Sequence, residues 1–561
     1  MSDFAGLRLA LSALQAQRRG VETAAQNAAN SNTVGYSRQR VDLESVGAPA
    51  VPALFSKYEG GGGGVRVAAI TRYRDEFLEL RAALEHATAS SLSQQATSMK
   101  RVEQLFNEPS DDGIAKQLSE FWAAWDDIAN HPEEPAPRTQ LLERAQTVLR
   151  SLNSTSANLS QLRQDTIAEL NATVADINGM ATSIAELNKA IKANTVAGLS
   201  VNELMDKRDL LANQLAAASG GTVRNFEFGQ VSVVVNGTAL VQENHTNKLT
   251  VDSSGSPVVL RWEVGGSAAD VKSGTAGGKL DVINSTIPAY IARMDSVATA
   301  LRDQVNDVHA AIGGDLAVGS QDLSTAGNLT FQVALNTGAF QTVTIAGADW
   351  SGAGGTAALQ TAMQNAIDAA IGAGNATATV TGGNGSPLSI GMAPTGTNAL
   401  RVQADGTNTG FSTLLSDTGI GSDGVGGRAF FSGTSAADLA LASGVAGNPN
   451  AVAAGRAGFG PLDGGRALDM GELAGDLGGA DATYRQVVVQ LGVEVQTVTN
   501  RSDIQTKAVA ALDGARAQVS GVNLDEEMTA LVQFQHAYEA AARFLSAVDE
   551  MLDTLINRTA V

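Results

Sequence analysis

The sequence predicts an α+β, multidomain chain: paired N- and C-terminal coiled-coil helices, an elongated helical bundle, a small β element and an inserted, mainly-β outer domain. Three observations carry this. Each end has apolar residues recurring every seven positions, the a/d pattern of helices that pair along a narrow seam. The 12 prolines are segregated, with none before Pro49, none between Pro137 and Pro257 and none after Pro461. Proline breaks helices, so those stretches are free to be long and helical. Between them the pattern switches to period two, the mark of strands.

At the N-terminus Leu7, Leu14, Val21 and Ala28 form a seven-residue row backed by Leu11 and Ala25, which predicts one helix over 3–29. It stops at the turn-rich run Asn30 to Tyr36, and Arg38 to Leu43 reads as extended, completing a terminal region over 1–46. Residues 47–64 read as a flexible linker: Pro49 and Pro52 precede five glycines, Gly60 to Gly64. Such a run has little stiffness, which predicts that the terminal helices move relative to the helical rod. Residues 65–220 form the first part of that rod. A short strand over 65–70 leads into a helix over 73–106. After Pro109 to Gly113 comes a helix carrying Phe121, Trp122, Trp125 and Ile128. A long helix then covers 139–193, with Leu170, Ile177, Ile184 and Ile191 spaced by seven. About 55 residues at about 1.5 Å each make a rod of roughly 80 Å. Helix resumes over 201–218.

Residues 221–279 read as a small β element. Val231, Val233 and Val235 alternate ahead of Asn236-Gly237, a hairpin signal, and Val258, Leu260, Trp262 and Val264 alternate likewise. The rod continues over 280–312. Residues 313–427 change character: rich in Gly, Thr, Ala and Asn, with few basic residues, short alternating strands and a helix near 356–371. They read as the inserted outer domain. The rod returns over 428–519, Gly-rich and irregular to 476 and helical from 480. Gly521 then separates the terminal region 520–561. There Leu531, Tyr538, Leu545 and Leu552 make one row, with Tyr538 placed in the seam; Phe534, Ala541, Val548 and Leu555 make a second; Leu524 extends the first. A chain laid out this way goes out and returns, bringing its two ends together.

Length, 561 residues, suits three or four domains. A net charge of −20 argues against nucleic acid and against an anionic membrane surface, both of which need clustered Lys and Arg. With no cysteine there is no disulfide, thiolate metal site or Cys nucleophile. No apolar run is long enough to predict a transmembrane helix. The first twenty residues are amphipathic and lack the apolar core of a secretory signal, so export, if it occurs, takes another route.

Nothing in the sequence predicts catalysis, a metal or a cofactor. The histidines His86, His131, His245, His309 and His536 lie too far apart for an HExxH-type zinc site. Gly419 to Gly424 matches GxGxxG without the flanking strand and helix, a chance match in a glycine-rich chain. Gly278-Lys279 is followed by Leu280 where a phosphate loop needs Ser or Thr. Gly35 to Gln39 lacks the second glycine of a nucleophile elbow.

The run Ala29-Asn30-Ser31-Asn32-Thr33-Val34-Gly35-Tyr36-Ser37-Arg38-Gln39 resembles the N-terminal signature of the bacterial flagellar axial proteins, with Val34 where the typical form has Pro. Ser520 to Met528, followed by Gln533 to Tyr538, is similar to the flagellar hook-associated protein 1 family. Asn202 to Asp209 and Phe430-Phe431 ahead of Gly433-Thr434-Ser435 resemble internal landmarks of that family. The resemblance implies a structural subunit of the hook–filament junction, extracellular on the flagellum and cytoplasmic before type III export. The implied partners are copies of itself, the hook protein, a second junction protein on the filament side and a cytoplasmic export chaperone at the C-terminal helix, with no nucleic acid and no membrane insertion. Assembly would run through Leu7, Leu11, Leu14, Val21, Ala28, Asn30, Asn32, Gly35, Tyr36 and Arg38 at one end. At the other it would use Leu524, Met528, Leu531, Phe534, Tyr538, Leu545, Val548, Leu552 and Leu555. Two alternatives stay open at this point: another axial subunit of hook or rod type, and a surface adhesin or binding module carried by 313–427.

Overall fold

The computed structural model describes residues 3–47, 63–309, 312–316, 329–335, 341–346, 355–383, 386–395, 400–404, 429–455 and 462–554. In chain order the elements are α1 (Asp3–Ala29), β1 (Gln39–Ser45), β2 (Val65–Arg72), α2 (Glu76–Phe106), α3 (Ile114–Asn130), α4 (Pro135–Val196) and α5 (Asn202–Ser219). Short strands follow: β3 (Thr222–Asn225), β4 (Val231–Val235), β5 (Thr238–Gln242), β6 (His245–Thr246), β7 (Leu249–Asp252), β8 (Val259–Trp262) and β9 (Ala268–Ala269). After α6 (Gly274–Asp281) and α7 (Ile287–His309) come β10 (Ile312–Leu316), β11 (Leu329–Leu335), β12 (Gln341–Ile345), α8 (Gly355–Ile371), β13 (Ala376–Gly383), β14 (Ser386–Pro394) and β15 (Leu400–Ala404). The chain closes with β16 (Phe431–Ser432), β17 (Ala440–Leu441), α9 (Gly465–Glu472), α10 (Ala480–Ser520) and α11 (Leu524–Asp553). The fold is α+β, with long terminal helices and several small sheets.

The chain divides into two compact units. The first comprises residues 1–97, 166–284 and 497–561. Its core sets the apolar face of α4 against the strands. Leu170, Ile177, Ile184 and Ile191, the seven-spaced row, are all fully buried, and the first three pack in one cluster with Val231, Val233, Val235, Leu260 and Trp262. At about 1.5–3 kcal/mol per buried side chain this row is a main source of stability. Two asparagines tie helix to sheet. Asn188 donates to the Val231 and Glu243 carbonyls at 2.8 and 2.7 Å, and Asn178 donates to the Leu249 carbonyl at 2.8 Å. Both satisfy strand ends that would otherwise be unpaired. Val264, expected in a strand, lies in the β8–β9 turn and is exposed, because strand pairing ends at Trp262.

The second unit comprises residues 98–165 and 285–496. Phe121, Trp125, Phe430 and Phe431 are buried and meet at tilted and edge-on angles, with ring centroids 4.8–6.3 Å apart. Asn306 fixes the Phe430-Phe431 backbone: its carbonyl oxygen accepts from both N–H groups at 2.7 and 2.9 Å and its amide donates to the Phe431 carbonyl at 2.9 Å. A separate core sets Leu359, Met363 and Ile367 of α8 against Phe331, Val333, Val343 and Val380. Residues 465–472, expected to be irregular, form α9, whose Ala467 and Met470 are buried. The helix is only eight residues long, too short for a helical period to stand out in the sequence, and its Leu468 stays exposed.

Candidate assembly site where the two chain ends meet

α1 and α11 pair antiparallel. A Cβ built on Gly6 comes within 3.5 Å of Val548, and one built on Gly20 comes within 2.5 Å of the Phe534 ring. Asn27 donates to Glu527 Oε2 at 2.9 Å. Each step forward along α1 matches an equal step back along α11, so the contact runs in register. The row of α1 at the seam is therefore Gly6, Ala13, Gly20 and Asn27, seven apart. Small residues there let the α11 side chains Val548 and Phe534 approach the α1 backbone.

This corrects the seam read from the sequence. Leu7, Leu14, Val21 and Ala28 sit one residue further round α1 and are half-buried, and Leu11 is exposed. On α11, Val548 is buried and Leu531, Phe534, Leu545 and Leu552 are half-buried. Leu524, Met528 and Tyr538 are exposed, Tyr538 at 40%. The reason is that Glu527, not Met528, occupies the seam position, four residues before Leu531. Leu555 and the glycine motif at 419–424 lie outside the described residues, as does most of the expected linker, 48–62. Of the five-glycine run, Gly63 and Gly64 are not a free tether. The Gly63 N–H donates to Val46 O and the Val46 N–H to Gly64 O, both at 2.8 Å, extending the β1–β2 ladder.

The loop after α1 turns on Gly35, whose φ of +82° favours glycine. A Cβ there would also press to 3.2 Å from Leu210. Asn30 closes the end of α1 by donating to Gln26 O at 3.0 Å and accepting from Thr33 at 3.2 Å; Asn32 is exposed. Beyond the turn the chain becomes a hub. Tyr36 donates to Asn27 Oδ1 at 2.8 Å, and the same oxygen accepts the Gln39 N–H at 3.0 Å. Arg38 reaches Glu527 Oε1 at 2.6 Å and Glu526 Oε2 at 2.8 Å, while its own N–H donates to Ser520 O at 2.9 Å. The Ser37 N–H donates to Asp206 at 3.2 Å, and Asn202 donates to Gln39 Oε1 at 3.0 Å and Ile70 O at 2.9 Å. Three sequence landmarks, at 29–39, 202–209 and 520–528, thus meet at one place.

Around the hub the charges alternate. Arg72 bridges Asp206 and Asp209 at 2.8 and 2.9 Å, Arg74 binds Asp209 and Glu79, and Arg516 of α10 binds Glu79 at 2.7 Å. Burial pushes the Glu79 carboxyl up, but hydrogen bonding from Arg516 and the charges of Arg74 and Arg516 outweigh it and hold it below the ordinary range. Burial, then the negative charges of Asp206, Glu527 and Glu203, push Tyr36 up to about 12. For Arg38, burial opposes ionisation and Glu527 and Glu526 more than restore it. Sequence reasoning missed Asn27, Arg72, Arg74, Glu79, Glu527 and Arg516. The signal for Asn27 and Glu527 was a polar residue at a heptad seam position.

No group of three or more His, Asp or Glu is placed to hold a metal ion among the described residues, and no described helix is long and apolar enough to cross a membrane. His86 pairs with Asp513 at 3.1 Å, and His309 packs between Trp125 and Phe430 with Nε2 accepting the Ala453 N–H at 3.0 Å. These are packing and pairing roles.

Comparison with known proteins fits this geometry. Residues 99–321 match the family described as flagellar hook-associated protein FlgK helical domain. Residues 7–36 match the flagella basal body rod protein family, and 516–558 the flagellar basal body rod FlgEFG protein C-terminal family. The chain is 28% identical to flagellar hook-associated protein 1 of Bacillus subtilis (strain 168), over 99% of this chain and 98% of the relative. It is 28% identical to flagellar hook-associated protein 1 of Escherichia coli (strain K12), over 98% of each. The solved structure of the flagellar hook junction protein FlgK from Burkholderia pseudomallei shares the fold, with a TM-score of 0.51 and 17% identity over 78% of this chain and 100% of that one. Full-length similarity and end motifs that meet in one hub point the same way: over nearly its whole length the chain is similar to the flagellar hook-associated protein 1 family.

Proposed function

We propose that this chain is a structural subunit of the bacterial flagellum that forms the junction between hook and filament and assembles through its terminal helices. The observation that carries the reading is the hub itself: Arg38, Asn27 and Glu527 lock the two ends of the chain into one antiparallel helix pair. A tube wall needs such a unit, because both ends must reach the same layer. The pair also leaves apolar side chains outward, Leu9 and Leu11 on α1 and Met528, Val532, Tyr538, Phe544 and Met551 on α11. Those are surfaces for neighbouring axial subunits.

The finer partners come from the family: copies of itself, the hook protein below, a second junction protein on the filament side, and a cytoplasmic chaperone that covers the C-terminal helix before type III export. On this reading the working position is extracellular, at the hook tip. The chemistry is packing and ion pairing, with no catalytic step. In the bacterium that encodes this chain, deleting the gene should leave hooks without filaments and flagellin shed into the medium. Restoring the wild-type gene should restore filaments, and normal filaments in the deletion strain would refute the role.

A further inference from the structure

Sulfur in this chain is carried by methionine alone: there is no cysteine and there are ten methionines. Met1 lies outside the described residues, and burial divides the rest. Met99, Met294, Met363, Met392 and Met470 are at most 4% exposed. Met180 is half-buried against the core of the first unit. Met205 is half-buried too, and its Sδ accepts from Arg72 Nη2 at 3.4 Å. Met528 and Met551 differ from all of these: they are 54% and 62% exposed, and both lie on α11. Met528 follows the buried Glu527 by one residue, and Met551 follows the buried Val548 by three. At about 100° per residue, the two side chains flank the seam on opposite sides and stay out of it.

We propose that Met528 and Met551 form an oxidation site that switches the assembly face of α11 off while the helix pair stays folded. The inference rests on the junction reading above, in which these side chains face neighbouring axial subunits. The oxidant is a hydroperoxide, with hydrogen peroxide the simplest. The thioether sulfur gives a lone pair to one peroxide oxygen and the O–O bond breaks. The proton on the transferred oxygen passes to the departing hydroxide, which leaves as water. Sulfur is oxidised by two electrons to the sulfoxide, and the peroxide is reduced. A flexible apolar side chain thereby becomes a polar one. A thioether adapts to an irregular partner surface, whereas a sulfoxide brings into the same contact an oxygen whose desolvation is costly. The reaction needs access, so the free chain is open to it at these two positions and shielded at its buried methionines. No thiol in the chain reacts ahead of them. Docking covers both sulfurs, so a subunit is sensitive before it is built in and resistant afterwards. A methionine sulfoxide reductase reverses the change, taking two electrons from thiols and releasing the oxygen as water.

Hydrogen peroxide added to the full-length protein tests this. Peptide mass spectrometry should find an added oxygen at Met528 and Met551 before the buried and half-buried methionines, with helix content by circular dichroism unchanged. On isolated hooks viewed by electron microscopy, the oxidised chain should lose the tip layer that untreated chain forms. Treatment with methionine sulfoxide reductase should restore it, a recovery that decides the question without any variant. The double variant Met528→Leu/Met551→Leu should form layers before and after peroxide. Oxidised wild-type chain that caps hooks as well as untreated chain, or a capping loss that persists in the leucine variant, would overturn the switch while leaving the junction role intact. Untreated wild-type chain that caps no hook tip would overturn both.

Discussion

Arg38 Nε lies 2.6 Å from Glu527 Oε1 although 489 residues separate them in the chain. The Glu527 side chain is 4% exposed and that of Arg38 25%. Glu527 also accepts from Asn27, so one carboxylate holds the loop after α1, α1 itself and α11 together. Breaking a buried pair from one side leaves an uncompensated charge. Glu527→Ala should therefore destabilise the terminal helix pair by about 2–3 kcal/mol, discounted for the part-exposed arginine. Hydrogen exchange should show protection lost over 3–29 and 524–553 and kept over 114–130. Unchanged protection of α1 would contradict the role given to Glu527.

Gly20 tests the close approach of the helices. An added methyl would sit 2.5 Å from the Phe534 ring, so ring or backbone must move. Gly20→Ala gains about 1 kcal/mol of helix propensity and loses about 1–3 kcal/mol to overpacking, for a net loss of about 1 kcal/mol. Gly20→Val should lose clearly more. Combining Gly20→Ala with Phe534→Leu should recover most of the loss in denaturant unfolding, a non-additivity expected only of residues in contact.

Tyr36 gives the alkaline limb of stability. Its folded pKa is raised to about 12, above the ordinary value near 10. The unfolded chain ionises first, so the contribution is complete below about pH 10 and is lost as pH rises toward 12. Tyr36→Phe removes the 2.8 Å bond to Asn27, should cost about 1 kcal/mol at neutral pH, and should flatten the fall in stability between pH 10 and 12. An equally steep alkaline fall in the variant would show that another group is responsible.

Glu79 gives the acid limb. Its folded pKa is depressed, so its contribution is present above the ordinary glutamate range and is lost as pH falls through the lower folded value. Acidification should loosen α2 from the end of α10, where Arg516 binds Glu79 at 2.7 Å. Glu79→Gln should be less stable at pH 7 and less sensitive below pH 4, read from unfolding midpoints across that range.

Asn306 is the counterpart in the second unit. It is buried and pairs three backbone groups of Phe430 and Phe431. Asn306→Ala strands those groups and should cost about 3 kcal/mol. The near-ultraviolet signal of the surrounding aromatics should weaken, while exchange protection over 3–29 stays unchanged.

The long elements were legible because their signals are large apolar residues at helical spacing. The helix read over 3–29 is α1, Asp3–Ala29, and the Leu170 to Ile191 row faces the core of the first unit. The seam of α1 escapes a hydrophobicity reading because Gly6, Ala13 and Gly20 carry no such signal; their function is to be small. The row that does stand out, Leu7 to Ala28, is displaced by one residue, about a hundred degrees round the helix. Tyr538 continues an apolar row and so reads as a seam residue, yet it is 40% exposed. A heptad pattern gives the stripe but not which partner covers which side of it. The hub was partly visible, since its motifs stand out singly. That they meet is a tertiary fact, set by Arg38, Asp206 and Glu527 across hundreds of residues.

The central claim is most directly tested by adding purified full-length protein to isolated hooks without filaments and viewing the tips by electron microscopy, then supplying the filament-side adaptor and flagellin. The account predicts a discrete layer at the hook tip that does not grow with further protein and from which filaments extend, with Glu527→Ala forming fewer layers. A tube lengthened by the protein alone would make it a hook-type subunit, and bare hook tips would contradict the junction role.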